Sequence, residues 1–456
     1  MIHNEKFLIC CLLLLFLAVI GCANEEKQSL PEEDVPVVSD FYDVDDQFEQ
    51  EVGEIRANAK VVQAFKVIEA LEPQTRSDHI LITETPAPPF KEELRAVLFA
   101  GMLKEAGADS VWIDDVGNVI GLRSGYAGRS FSEPARTVAL SAHLDTVFPE
   151  DTNVRVAVRG DTLFAPGIGD DSRGLVEVLT VLRALEQAQV ETEADVLFIG
   201  TVGEEGLGDL RGVKHLFGAG DVGIDAWIAI DGGRFGNIVH RGLGSHRYRI
   251  TYRGPGGHSW GAFGLANPHH ALGDAISRFV QKADVFTQTG PKTSYNIGRI
   301  GGGTSINSIP FVSWMEVDLR SENPEFLDQI DVLLHEAVQE ALDEQNIMRR
   351  SGPLLSVDVS MIGDRPSGSL DKDNAIVQYA VAATQLLGGT PTFSISSTDS
   401  NIPISKGIPG ITIGRGGRGG NAHSLLEWWI NDDGYRNIQW SMLTLLSEAK
   451  LADIDA

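Results

Sequence analysis

Gly167-Ile168-Gly169-Asp170-Asp171-Ser172-Arg173-Gly174 sets two adjacent carboxylates among glycines, with Pro166 before them and an apolar, helix-like segment after. Like charges side by side repel, and a tight turn tolerates them when a cation lies between or near them. An Asp-Asp pair alone is an ordinary surface turn. Its reading depends on the other metal-ligating residues on either side. Upstream, a buried-type strand at 137–141 leads into Ala142-His143-Leu144-Asp145-Thr146-Val147. His and Asp two apart at a strand end can lie on one side of the chain, so His143 could ligate a metal and Asp145 could orient it. Downstream, a strand at 196–202 leads into Gly203-Glu204-Glu205-Gly206, where one carboxylate can face a metal and the other a water on it. A strand at 226–230 leads into Asp231-Gly232-Gly233, and Asn421-Ala422-His423-Ser424 follows a glycine-rich loop at 414–420.

These residues fall at the C-terminal ends of successive strands, where open α/β sheets place their sites. The donors are nitrogen and oxygen only, which suits zinc, with cobalt or manganese as alternatives. Between the strands run helical patterns at 55–71, 91–106 and 174–187, and the chain closes with helices at 375–387 and 435–449. Strands alternating with helices define an α/β body. After Gly242 the pattern changes to strand 246–252, helix from Asn267-Pro268 to about 282, strands 294–300 and 312–319, helix from Asn323-Pro324 to about 344, and strand 355–361. Both helices open with Asn as cap and Pro at the first helical position. The order β-α-β-β-α-β is the split, ferredoxin-like unit, expected as an inserted α+β domain over 242–363 between body segments 51–241 and 364–456.

At 456 residues the chain is long enough for two domains, with 43% hydrophobic and 22% charged residues. A net charge of −27 argues against nucleic acid as a partner. Lys6 precedes an apolar run at 7–20, short for a membrane span and suited to a secretory signal. Leu17-Ala18-Val19-Ile20-Gly21-Cys22 resembles the bacterial lipobox, in which Cys22 would be lipidated and residues 1–21 removed. Cys10, Cys11 and Cys22 are the only cysteines, so the mature chain would have no disulfide and no thiolate metal site. The acidic, Pro-bearing segment 22–50 reads as a tether. These features predict a lipoprotein of the cell envelope, facing the periplasm or exposed on the outer membrane, that meets the membrane only through its anchor.

Taken in order, His143-Leu144-Asp145-Thr146-Val147, Gly169-Asp170-Asp171-Ser172-Arg173-Gly174, Gly203-Glu204-Glu205-Gly206 and His423-Ser424 resemble the di-zinc exopeptidase and deacylase family. That family includes aminoacylase, glutamate carboxypeptidase, peptidase T and the acetylornithine and succinyl-diaminopimelate deacylases. The resemblance spans roughly 55–450. It implies a zinc-exopeptidase-like catalytic domain binding two Zn2+. Asp170 would bridge the ions, with His143 and Asp231 completing one site and Glu205 and His423 the other. Glu204 would be general base and acid for a metal-bridging hydroxide, and Asp145 would support His143. Ser172-Arg173 stands where the family has Lys, outside the ligand set. The insert would be a lid and dimerisation domain, making a homodimer. Its His258, in Gly256-Gly257-His258-Ser259, would reach the partner's active site to hold the oxyanion. Asn307, in Gly301-Gly302-Gly303-Thr304-Ser305-Ile306-Asn307, would contact substrate, and Arg320 would bind its carboxylate. Thr83-Glu84-Thr85-Pro86-Ala87-Pro88-Pro89 resembles peptidase T-like members. The expected activity is hydrolysis of short peptides with a free carboxylate. The alternatives are an N-acyl amino acid deacylase with the same site, or a non-catalytic peptide- or metal-binding lipoprotein.

Overall fold

The computed structural model describes residues 44–126, 136–218, 220 and 223–452. The expected signal segment, Cys22 and most of the expected tether lie outside them. Four strands, Asp195–Thr201, Thr137–His143, Ala226–Ile230 and Gly410–Ile413, lie side by side and parallel at the centre of a nine-stranded sheet. They are almost wholly buried, with Val, Ile, Leu and Ala as most of their residues, as strands covered on both faces must be. Val119–Arg123 and Ser110–Ile113 extend one side antiparallel. Asn237–Gly242 runs antiparallel to Gly410–Ile413 on the other, flanked by Thr392–Ser396 and Gly368–Ser369. Helix Ser172–Ala188 packs against this sheet and is buried along nearly its whole length.

Residues 244–365 form a second sheet in the order Thr293–Gly302, Val312–Ser321, Gly244–Arg253, Ser356–Arg365, all antiparallel. Helices Pro268–Phe286 and Pro324–Met348 pack on one face around a separate core that includes Tyr252, Phe279, Met315 and Leu334. Asn267 and Asn323 cap these helices by accepting from the N–H groups of His269 (2.9 Å) and Phe326 (3.0 Å). The chain leaves the larger sheet near Leu243 and returns near Pro366. The Asn401 side chain donates to both carbonyls, at 2.9 and 3.0 Å, and so ties the two crossings together.

The N-terminal reading needs correction in three places. The end of the expected tether is helical: Asp46–Ala57 forms a helix capped by Asp45, with Phe48, Val52 and Ile55 buried. The single periodic stretch 55–71 is two helices, broken at Asn58, whose extended backbone ends one while its side chain caps the next at Lys60. A helix at Glu72–Thr83 stands where no element was expected. Pro73 in its first turn starts it, and His79 and Ile82 bury one face.

Candidate active site

The two adjacent aspartates face opposite ways. Asp171 caps helix Ser172–Ala188, accepting from Gly174 N–H at 3.1 Å, and also accepts from the His143 N–H at 3.2 Å. A Cβ on residue 174 would lie 2.4 Å from the Asp171 carboxylate, so only glycine fits there. Asp170 instead presents one oxygen to His143 Nε2 at 3.0 Å and the other to His423 Nε2 at 3.1 Å. His423 Nε2 also lies 2.8 Å from Glu205 Oε1. Two three-donor groups follow, His143–Asp170–Asp231 and Asp170–Glu205–His423, each with its donor atoms within 4.8 Å of one another. Asp170 belongs to both. Glu204 lies within the same reach of His143 and Glu205.

Strand ends explain this convergence. His143 closes one parallel strand, Asp231 follows the next, and the Glu204-Glu205 turn follows a third. Asp145 ties two of them: its carboxylate accepts the N–H groups of Glu204 (3.0 Å) and Glu205 (2.9 Å), while its carbonyl lies 3.0 Å from His143 Nδ1. It therefore shapes the Glu-Glu turn as well as orienting the imidazole.

The charges are out of balance without a cation. Burial pushes the Asp231 carboxyl up to about 6, and the charge of Asp170 adds to that. Burial likewise holds Glu204 well above the usual carboxylate range, with Arg365 opposing and Glu205 reinforcing the shift. His423 is raised to about 11 by its bonds to Asp170 and Glu205. Burial alone would depress His143, yet its bond to Asp170 and the surrounding aspartates hold it well above its ordinary value. Protons are thus drawn to where divalent cations would relieve the same repulsion. The donor set fits such ions.

A cavity of about 670 Å³ opens over this cluster, lined by Asp170, Glu204, Glu205, Asp231 and His423 and by Arg247, Arg320, Arg365 and Arg415. Arg320 is therefore at the site. His258 and Asn307 are brought near each other, on the paired segments Gly257–His258 and Ser308–Ile309 and the turn before the latter, but they are exposed and do not line the cavity of their own chain. Sequence reasoning missed four residues, among them Arg247, which lines the cavity. Arg365 reaches Glu204 Oε1 at 3.2 Å and Ser397 Oγ at 3.1 Å. Glu427 accepts the N–H groups of Gly167, Gly169 and Asp170 at 2.6, 2.9 and 2.9 Å, fixing the loop that carries Asp170. Arg415 lies behind Asp170 and Asp231, at 3.5 and 3.7 Å. Trp428 and Trp429 are core residues, and Trp429 packs against Arg173 and His79.

A cluster of His and carboxylate donors at the C-terminal strand ends of such a sheet suits metal-assisted hydrolysis. The sequence comparison agrees: residues 139–445 match Peptidase family M20/M25/M40, and the chain belongs to that family. It is a peptide- or amide-bond hydrolase. A putative [LysW]-lysine/[LysW]-ornithine hydrolase of Pyrococcus abyssi is 35% identical over 125 residues, a match spanning 27% of this chain and 32% of that protein. A tripeptidase from Staphylococcus aureus has a similar structure, with TM-score 0.68 and 20% identity over 83% of this chain and 98% of that one. The YXEP protein of Bacillus subtilis, a dinuclear metal-binding peptidase from the M20 family, gives TM-score 0.59 and 19% identity over 84% of this chain and 99% of that one.

Proposed function

We propose that this chain hydrolyses short peptides carrying a free carboxylate, with two zinc ions held by His143–Asp170–Asp231 and Asp170–Glu205–His423. The observation that carries the reading is Asp170, whose two oxygens face the two histidines separately. Bound there, the two cations supply Lewis acidity, acidifying a water and polarising the substrate carbonyl. Glu204 moves the proton. Its carboxylate sits beside both groups, anchored by Arg365, and its raised pKa suits it to take a proton from water and return it to the leaving nitrogen. Arg247, Arg320 and Arg365 come from one sheet face: Arg320 and Arg365 both pair in register with Ser245, and Arg247 is two residues along the same strand. Their planar forks suit a substrate carboxylate.

The exposed positions of His258 and Asn307 favour a homodimer in which each serves the partner's site. Trp260, Phe263, Ile306 and Phe311, exposed around them, would be covered there. Lipidation at Cys22 would hold the enzyme at the envelope.

The test is product release, followed by mass spectrometry, from dipeptides, tripeptides and N-acyl amino acids with the zinc-loaded chain. Glu204→Gln is the blank. Cleavage of free peptides, absent in the blank, is expected. Cleavage of N-acyl amino acids alone would make it a deacylase, and no turnover with both ions bound would overturn the peptidase reading in favour of a binding protein.

A further inference from the structure

Arg415 carries a positive charge into the floor of a site built to take cations. It follows strand Gly410–Ile413, and its backbone is held on both sides: its N–H donates to the Gly232 carbonyl at 3.2 Å, next to Asp231, and its carbonyl accepts from Arg173 Nε at 3.3 Å. The side chain packs over Gly169, where a Cβ would lie 3.3 Å from Nη2 and 3.0 Å from Glu427 Oε1. The residue is only 7% exposed, and its Nη1, buried and without a hydrogen bond, points between Asp170 Oδ1 and Asp231 Oδ1. Its ion pairs are with these two carboxylates; among the described residues none joins it to Glu205. The cation therefore flanks the His143–Asp170–Asp231 group, whereas among the described residues neither Glu205 nor the Asp170 oxygen facing His423 has an arginine or lysine partner.

We propose that Arg415 is a positioning residue that makes the two metal-binding groups unequal, its fixed charge weakening the His143–Asp170–Asp231 group so that this group fills second. The inference rests on the metal-binding reading above. A guanidinium cannot shed its charge at any working pH, so it repels an incoming divalent cation at all times. At separations of a few ångströms in a protein interior, that repulsion is large enough to change a binding constant by about tenfold or more. A residue that merely braced Asp170 and Asp231 would have the opposite effect: removing it would loosen the ligands and weaken binding. The sign of the change separates the two roles.

The experiment is a Co2+ titration of the full chain, read by visible absorption and by competition with a chromophoric chelator. Two steps are expected for the wild type, and His423→Ala is expected to remove the tighter one. Adding Arg415→Met to His423→Ala should tighten the remaining step about tenfold or more. Arg415→Lys, which keeps the charge, should leave it within about threefold. Circular dichroism melting checks that each variant is folded; if Arg415→Met is not, Arg415→Gln carries the same expectation. An unchanged or weaker step in the folded neutral variant overturns the proposal, as does loss of the weaker step in His423→Ala. A wild-type chain that takes up no Co2+ would overturn the metal reading itself, whereas two ions bound with affinities indifferent to residue 415 would overturn only the role of Arg415.

Discussion

Replacing Glu427 should loosen the loop that presents Asp170, in a graded way. The Glu427 backbone is held independently, its N–H by Ser424 and its carbonyl by Ala165, so a substitution acts through the side chain. Alanine would orphan three backbone donors, those of Gly167, Gly169 and Asp170. Each buried, unsatisfied donor costs roughly 1–3 kcal/mol, and relaxation of the loop toward water recovers part, so a loss of about 3–5 kcal/mol is expected. Glutamine keeps one oxygen, which can serve Gly169 and Asp170, but turns its amide against Gly167. One orphan donor and the loss of charge assistance put its cost at about 2 kcal/mol. The assay is urea unfolding of the metal-free chain, followed by tryptophan fluorescence. It belongs at pH 8, above the value of about 7 to which burial and Asp170 push this carboxyl. An alanine variant within about 1 kcal/mol of wild type, or a glutamine variant as damaged as alanine, would show that Glu427 does not hold this loop.

Asp145→Ala removes the acceptor for the Glu204 and Glu205 N–H groups and should lower metal affinity or kcat/KM by roughly 10–100-fold, measured by chelator competition and peptide hydrolysis. Arg365→Met removes the charge that holds the Glu204 pKa down, so the acid limb of the kcat/KM profile should move to higher pH. Glu177, paired with Arg173 at 3.0 Å, is pushed by burial from 4.5 to about 7. Its folded pKa is raised, so its contribution is fully present below pH 4.5 and is lost as pH rises through 7. Glu177→Gln should therefore flatten the fall in stability between about pH 5 and 8, by an amount on the order of 3 kcal/mol, in urea titrations across that range.

Much of the fold was legible because its elements announce themselves locally. The runs around Val138, Val196 and Trp227 are apolar without interruption, as doubly covered strands are, and Asn267-Pro268 and Asn323-Pro324 mark helix starts by their own chemistry. Helix Glu72–Thr83 was hidden because Thr75, Ser77 and His79 break the apolar period; two of the three are buried, His79 against the Ile168 carbonyl and Trp429. Asn58 shows the converse case, in which one polar residue with extended backbone divides a continuous helical pattern. At the site, the residues that terminate strands could be read from position. Glu427 and Arg365 could not, because they act by tertiary approach: Glu427 meets the aspartate loop from 257 to 260 residues away, and Arg365 meets Glu204 from 161. Arg415 sits in a glycine-rich loop, where a charge reads as solvated until the packing shows it buried.

The most direct test of the account is the metal count of the zinc-loaded chain by native mass spectrometry, alongside Asp170→Asn. Because both donor groups share Asp170, the wild type should carry two ions and the variant should lose affinity for both. A single ion in the wild type, or two ions held with unchanged affinity by Asp170→Asn, would contradict it.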